Sequence, residues 1–108
     1  MLDQASRGAC SLQDVVRWTA ENPYRLYGVK NKGLIVPGYD ADLVLVDLAL
    51  EKEVRRQNLW TKVRWSPYEG MRLRGWPRYT LVRGQVVFKD GIIDENFRGE
   101  EIHIGGDR

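Results

Sequence analysis

The sequence predicts an α+β fold, with one or two N-terminal helices followed by a mostly antiparallel β-unit. Three features support this class. Apolar residues recur at helical spacing only up to about residue 28, and an apolar run at 43–46 lies between Asp42 and Asp47. Two short glycine turns then join β-like segments near the C-terminus. Apolar residues three or four apart indicate helix, whereas short apolar runs bounded by turn residues are typical of strands.

The first predicted helix covers residues 12–21. Ser11 is a suitable N-cap, and Asp14 occupies the third helical position, from which its carboxylate can reach back to the cap. We expect Asn22 to cap a second, shorter helix with Pro23 at its first position. Gly28 should end this helix because glycine adopts the left-handed conformation easily. The two helices should meet with a sharp change of direction.

The β-unit is predicted from residue 42 onwards, after a connector at 29–38 with a brief extended piece at 34–36. Residues 42–47 read as a short buried strand, and 48–56 as an edge strand at best, with Val54 facing inward. The segment 58–76 has no clean period, and Ser66 to Gly70 reads as a turn. Strands at 78–82 and 85–89 meet at a tight turn, and Asp90-Gly91 predicts a type I′ hairpin leading to residues 92–93. The tail is expected to be irregular.

Composition limits the chain to one domain of a globular protein. It has 108 residues, 43% of them hydrophobic and 30% charged, and lacks the roughly 20-residue apolar stretch that a membrane helix needs. Its start does not resemble a secretory signal, so we expect a cytoplasmic protein without a membrane partner. The chain has one cysteine, Cys10, and one histidine, His103. It can therefore form no internal disulfide and has too few imidazoles for a histidine-rich metal site.

No residue of the chain is predicted to be catalytic, cofactor-binding or metal-binding. Asp42 and Asp47 should lie at opposite ends of one strand and, like Asp40, are interpreted as turn residues and not as a carboxylate cluster. The glycines match neither a dinucleotide-binding fingerprint nor a phosphate loop. We therefore expect no cofactor in this chain.

The net charge of +2 conceals a basic block between residues 52 and 83. It contains two acids and nine basic residues: Lys52, Arg55, Arg56, Lys62, Arg64, Arg72, Arg74, Arg78 and Arg83. Trp60, Trp65, Trp76 and Tyr79 lie among them, a composition used by proteins that bind single-stranded nucleic acid. A basic run is more often a solvated face, and no RNA-binding motif is present, so a small basic-aromatic binding module for nucleic acid or protein is retained as the alternative function.

One stretch has a specific pattern: an Asn-Pro pair and a glycine, then Lys-Gly-x-Ile-x-x-Gly-x-Asp-Ala-Asp-Leu-Val-Leu-Val-Asp. The matching positions are Asn22, Pro23, Gly28, Lys32, Gly33, Ile35, Gly38, Asp40, Ala41, Asp42, Leu43, Val44, Leu45, Val46 and Asp47. Together with residues 66–87, this pattern resembles the C-terminal part of the cyclic amidohydrolases, which include dihydroorotase, allantoinase and dihydropyrimidinase or hydantoinase. Residues 65–84 look most like dihydroorotase.

The resemblance implies a β/α barrel with a composite β-sandwich, of which this chain can hold only a part. Residues 1–28 would be the terminal helical part of an incomplete barrel, residues 29–94 the C-terminal part of the sandwich, and residues 95–108 an irregular tail. The family's zinc ligands match no position here, His103 included. We expect a catalytically inert structural fragment of a hydrolase that opens a cyclic amide with a zinc-activated water. Its partners would be its own missing barrel and further copies of itself.

Overall fold

The computed structural model describes residues 1–102 and residue 104, and it confirms the predicted α+β class. An N-terminal helical region is followed by a four-stranded antiparallel sheet in the order β1-β2-β3-β4. The helical elements are α1 (Leu2–Ser6), α2 (Leu12–Val16), a π-helical turn (Arg17–Glu21), α3 (Asn22–Leu26) and a 3₁₀ turn (Arg56–Asn58). The strands are β1 (Leu43–Glu53), β2 (Arg72–Val82), β3 (Gln85–Lys89) and β4 (Ile92–Ile93).

The start of α2 has the predicted capping box. The backbone N–H of Asp14 donates to Ser11 Oγ at 3.0 Å, and the N–H of Ser11 donates to Asp14 Oδ2 at 3.1 Å. These two bonds hold the pKa of Asp14 below its ordinary value, with the Ser11 N–H as the larger cause. The cap thus satisfies two backbone donors that would otherwise be unpaired at the helix start.

The predicted break between two helices is wrong. Glu21 and Asn22 both have right-handed helical dihedral angles, and Asn22 lies inside a helix that continues from α2 through the π-helical turn into α3. Pro23 has no N–H to donate and crowds the preceding turn of an ordinary helix. A π-turn widens the helix there, so the proline is accommodated without a new N-cap.

Gly28 ends α3 as predicted, with φ at +68°. The N–H of Gly28 donates to the carbonyl of Arg25 at 3.3 Å, and the N–H of Val29 donates to that of Tyr24 at 2.9 Å. These two bonds form a Schellman motif, which satisfies the last carbonyls of the helix.

Strand β1 is one long edge strand and not the two short ones that the sequence predicted. It pairs with β2 along its length, but the register shifts between Asp47 and Glu51, where three residues of β1 oppose Gly75. Asp47 stabilises this bulge because its Oδ1 accepts hydrogen bonds from the N–H groups of Ala49 (3.0 Å) and Leu50 (3.2 Å). The prediction that Asp47 ends the strand is therefore wrong, since the residue lies within it.

The remaining strands form the predicted meander, although β2 begins at Arg72, within a segment that sequence periodicity left irregular. Asp90 and Gly91 both have positive φ, +47° and +89°, as a type I′ turn requires. The turn at residues 66–70 is confirmed: the N–H of Tyr68 donates to Ser66 Oγ at 3.1 Å. The connector forms no strand at 34–36, but Val29 makes an isolated antiparallel bridge to Ile104.

Helix α1, which the sequence did not predict, packs on the β2 strand. Asp3 is buried, and its Oδ1 accepts a hydrogen bond from the N–H of Arg74 at 2.9 Å. Gly75 allows this close approach, because a Cβ there would lie 2.6 Å from the Cβ of Leu2. Within residues 1–102 and 104, no helix has the length and apolar character needed to cross a membrane.

Candidate functional site

The two aspartates of the Asp40-Ala41-Asp42 stretch form a salt-bridge cluster with Lys32. Lys32 Nζ lies 3.0 Å from Asp40 Oδ2 and also contacts Asp42 Oδ2. The second oxygen of Asp42 accepts a hydrogen bond of 2.9 Å from the N–H of Arg83, in the β2–β3 turn. This Lys32 cluster therefore fastens the connector to the sheet, which agrees with a structural role for both aspartates.

The electrostatics of the Lys32 cluster favour the charged forms. The hydrogen bond to Asp42 is the largest cause that raises the pKa of Lys32 above its ordinary value. Partial burial opposes ionisation of Asp42, but the bonds from Lys32 and from the Arg83 N–H outweigh it and lower the Asp42 pKa. Both carboxylates are thus neutralised by an ammonium group and do not present free ligands to a metal ion.

Among the described residues, no group of three or more histidine, cysteine, aspartate or glutamate side chains could hold a metal ion. His103 lies outside the described residues. Cys10 is a half-buried free thiol. The absence of catalytic, cofactor and metal residues from this chain stays a prediction.

Acidic residues neutralise much of the basic block. Arg55 pairs with Glu53 at 3.2 Å, and Arg78 pairs with Asp90 at 3.0 Å. Glu51 lies between two further cations, with Arg72 at 3.4 Å and Arg74 at 3.6 Å. Glu51 and Asp90 lie outside residues 52–83 in sequence, but the antiparallel sheet places them beside arginines of the basic block. A count of charges along the sequence omits these two acids. Among the described residues, the basic block therefore does not present a uniformly positive surface.

A cavity of about 500 Å³ lies where the end of β1 and the loop after it face β2 and β3. Cationic, amide and aromatic side chains line it: Lys52, Arg55, Arg64, Gln57, Asn58, Trp60, Trp76 and Phe88, together with Glu53, Val54, Leu59, Pro77 and Gly91. We call it the aromatic cavity. Val54 forms part of its wall and is 8% exposed, the one buried apolar side chain among the described residues. The predicted inward position of Val54 is confirmed.

The aromatic cavity contains only part of the aromatic set that the sequence singled out. Trp60 and Trp76 line it, whereas Trp65 and Tyr79 do not. Lys52 lies over the Trp76 ring at 5.5 Å, but Lys89 takes the corresponding place over Tyr79, at 5.9 Å. The sequence shows that cationic and aromatic residues alternate. Which of these residues line the same cavity depends on how the strands pair.

The apolar residues of the chain are largely exposed. The strand at 43–46 forms as predicted, yet it is not buried by the described residues, since Val44 is 57% and Leu45 is 50% exposed. Other exposed large apolar residues lie on the helices, the connector and the loop before β2: Leu12, Val16, Trp18, Leu26, Tyr27, Leu34, Ile35, Val36, Trp60, Val63, Trp65, Tyr68 and Met71. Monomeric proteins rarely expose so much apolar surface.

The sequence of residues 1–87 matches the family model of the amidohydrolases. The chain therefore belongs to this family, which is generally metal-dependent. Among curated relatives it is 41% identical over 102 residues to the dihydroorotase of Pyrococcus furiosus, covering 94% of this chain and 24% of the relative. It is 40% identical over 80 residues to the allantoinase of Saccharomyces cerevisiae, covering 73% of this chain and 17% of that protein.

Solved structures show the same relationship. The L-hydantoinase (dihydropyrimidinase) from Arthrobacter aurescens superimposes with a TM-score of 0.82 at 35% identity, covering 86% of this chain and 21% of that one. The dihydropyrimidinase from Brevibacillus agri gives a TM-score of 0.78 at 30% identity, and the match covers 83% of this chain and 20% of that one. The predicted resemblance to cyclic amidohydrolases, and to dihydroorotase in particular, is confirmed. The chain spans about a quarter of the length of the dihydroorotases it matches.

Proposed function

We propose that this chain is the C-terminal structural part of a dihydroorotase-like enzyme that hydrolyses the C–N bond of a cyclic amide with zinc. The observation that carries the proposal is the match to the Pyrococcus furiosus dihydroorotase over 94% of this chain but only 24% of the relative. In this proposal residues 1–28 belong to the end of a β/α barrel and residues 29–94 to one share of a β-sandwich.

The chemistry of such an enzyme is assigned to the remaining part of the protein. A zinc ion would supply an acidified water for attack on the ring carbonyl. The described residues of this chain offer no donor set for zinc, and the most clustered carboxylates, Asp40 and Asp42, are bound by Lys32. No hydrolytic step is therefore assigned to residues of this chain, whose proposed role is to support the barrel.

The surface area supports a covering partner. The accessible surface is 8500 Å², whereas a folded monomer of this mass is expected to expose about 6,200 Å². The excess agrees with exposed apolar side chains such as Trp18, Leu26 and Ile35. We propose that the barrel portion of the enzyme covers part of this surface, and that the isolated chain self-associates through it.

A chimera tests the proposed function. The segment of the Pyrococcus furiosus dihydroorotase that aligns with this chain would be replaced by residues 1–102, and the product assayed for bound zinc and for hydrolysis of dihydroorotate. We expect the chimera to bind zinc and to be active, because this segment supplies support and not ligands. The same dihydroorotase without the segment should be unstable or inactive.

Two further measurements make the test decisive. This chain alone, supplied with zinc, should show no hydrolysis of dihydroorotate, and measurable turnover would overturn the proposed structural role. If the chimera is insoluble, the truncated dihydroorotase can be co-expressed with this chain as a separate polypeptide. Failure of the two polypeptides to associate would contradict the proposal that the chain belongs to such a barrel.

A further inference from the structure

The aromatic cavity has the composition of a small-molecule site, independently of the proposed hydrolase. Its volume of about 500 Å³ falls within the range of about 300–1,000 Å³ that is usual for ligand cavities. Its wall combines flat aromatic surface with cations and side-chain amides. The aromatic rings favour a flat ligand, the cations favour a negative charge, and the amides favour polar atoms on the ligand.

The aromatic wall is held in place by the sheet. The indole N–H of Trp76 donates to the carbonyl of Leu73 at 2.7 Å, which uses its one hydrogen-bond donor and fixes the ring. Trp60, on the loop after β1, lines the same cavity and is 64% exposed. Lys52 covers one face of Trp76, so the exposed Trp60 indole is the surface suited to stacking a planar ring, with Trp76 and Phe88 beside it.

The loop that carries Trp60 is fastened at both ends. The N–H of Val54 donates to the carbonyl of Met71 at 2.8 Å, and the N–H of Gly70 donates to the carbonyl of Val54 at 2.8 Å. Further along the loop, Arg56 Nε donates to the carbonyl of Arg64 at 3.0 Å. These bonds join the two ends of the loop and link its two sides.

The charge of the aromatic cavity favours an anion. Arg55 and Glu53 both line it and neutralise each other at 3.2 Å. Lys52 and Arg64 also line it, and neither has an acidic partner in the part of the chain that the structure describes. Two uncompensated cations beside aromatic surface form a site for a ring that carries a negative group, and the amide of Asn58 can bond to polar atoms on the ring.

We propose that the aromatic cavity binds a planar heteroaromatic anion of mononucleotide size, stacked on Trp60 with its anionic group on Lys52 and Arg64. The ring supplies the stacking contact, and the phosphate or carboxylate neutralises the two cations. The cavity accommodates one such unit, because the paired arginines on the neighbouring strand leave no continuous basic path for a polymer.

Isothermal titration calorimetry of the full chain with uridine monophosphate tests the site. Uridine and inorganic phosphate serve as matched ligands that lack the anion or the ring. We expect saturable one-to-one binding of uridine monophosphate and at least about tenfold weaker binding of each part alone, since stacking and charge-assisted bonds each contribute about one order of magnitude or more. Equal binding of all three ligands, or no binding of the nucleotide, would overturn the proposal.

Matched variants locate the site. Trp60→Ala should weaken binding about tenfold, whereas Trp65→Ala should leave it unchanged, because Trp65 is equally exposed (63% against 64%) but does not line the cavity. Arg64→Ala should weaken binding similarly, and Arg72→Ala, which removes a cation paired with Glu51, should not. Circular dichroism checks that each variant is folded, and Lys52→Ala replaces Arg64→Ala if that variant unfolds. Equal losses in Trp60→Ala and Trp65→Ala, or much tighter binding of oligouridylate than of the mononucleotide, would contradict a one-ring site.

Discussion

The Oδ1 atom of Asp3 accepts a hydrogen bond of 2.9 Å from the backbone N–H of Arg74, across 71 residues of sequence. The other oxygen, Oδ2, pairs with Arg7 Nε at 2.8 Å. The Asp3 carboxylate thus pairs with Arg7 at the end of α1 and also links that helix to β2. Because the N–H of Arg74 and the guanidinium of Arg7 both favour the ionised form, the pKa of Asp3 lies below its ordinary value of 3.8.

Replacing Asp3 by asparagine should make the stability of the chain less dependent on acidic pH. A carboxyl whose pKa is lowered by folding contributes stability above its ordinary pKa of 3.8 and loses it as the pH falls through the lower folded value. We therefore expect Asp3→Asn to unfold at lower urea concentration near neutral pH, with a difference that shrinks below about pH 3.8. Glu69→Gln is the control, because the exposed Glu69 carboxylate has no ion-pair partner among the described residues. A difference that stays constant down to the lowest pH would contradict this account.

Gly75→Ala should destabilise the chain more than Gly70→Ala. Both glycines have positive φ, +93° and +86°, so each substitution has a backbone cost of about 1–2 kcal/mol. At Gly75 the new Cβ would also lie 2.6 Å from Leu2 Cβ, whereas nothing lies within 4 Å at Gly70. We expect a further loss of about 1–3 kcal/mol at Gly75, measured by urea unfolding.

The clash at Gly75 has a specific control. Leu2→Ala keeps the Cβ that the new methyl group would meet, so it should not rescue Gly75→Ala, whereas Leu2→Gly should rescue it in part. Equal stability of the two single glycine variants would show that helix α1 does not pack against β2 as described.

Local features of the fold were predictable because their causes are local. Ser11 and Asp14 satisfy each other within one helical turn, and Asp90-Gly91 adopts positive φ because these residue types permit it. Helix α1 was missed because it depends on a hydrogen bond to Arg74, which is distant in sequence. The start of β2 was missed for the same reason, since its first residues pair with Glu53 and Lys52 of β1.

The site was less predictable than the fold. The sequence motif identified the amidohydrolase relationship because its glycines and aspartates occupy fixed turns, including the cluster of Lys32 with Asp42. It did not show that Trp60 and Trp76, sixteen residues apart, share one cavity while Trp65 does not. That selection depends on the register of β1 against β2, in which two bulges shift the pairing.

Within the Lys32 cluster, Asp42→Asn should destabilise the chain more than Asp40→Asn. The Asp42 carboxylate binds both Lys32 and the N–H of Arg83, whereas the Asp40 carboxylate binds only Lys32 among the described residues. Thermal unfolding near neutral pH shows which of the two variants is less stable. A larger effect of Asp40→Asn would contradict the assignment of Asp42 as the link to the β2–β3 turn.

The same cluster predicts a loss of stability at alkaline pH. The pKa of Lys32 is raised above 10.5, chiefly by the hydrogen bond to Asp42. A raised lysine pKa contributes stability below 10.5, and that stability is lost as the pH rises through the higher folded value. We expect Lys32→Met to remove this alkaline decline while lowering stability at neutral pH. An unchanged alkaline decline in Lys32→Met would assign it to other groups.

Exposed apolar residues should control self-association without controlling stability. Leu26 is 77% and Ile35 is 86% exposed, so replacing both with serine removes few contacts within the chain and should change the free energy of unfolding by less than about 0.5 kcal/mol per site. Val54→Ser is the contrasting variant, because Val54 is 8% exposed and its replacement should destabilise the chain by about 1–3 kcal/mol.

Sedimentation velocity at increasing concentration measures the association. We expect the unmodified chain to form oligomers and the Leu26→Ser, Ile35→Ser variant to shift toward the monomer, because the substitutions remove apolar area from a surface that the proposed barrel would otherwise cover. Unfolding by urea, followed in parallel, separates loss of association from loss of folding. A chain that stays monomeric at every concentration would show that its exposed apolar surface is tolerated in water, and the proposed self-association would then be wrong.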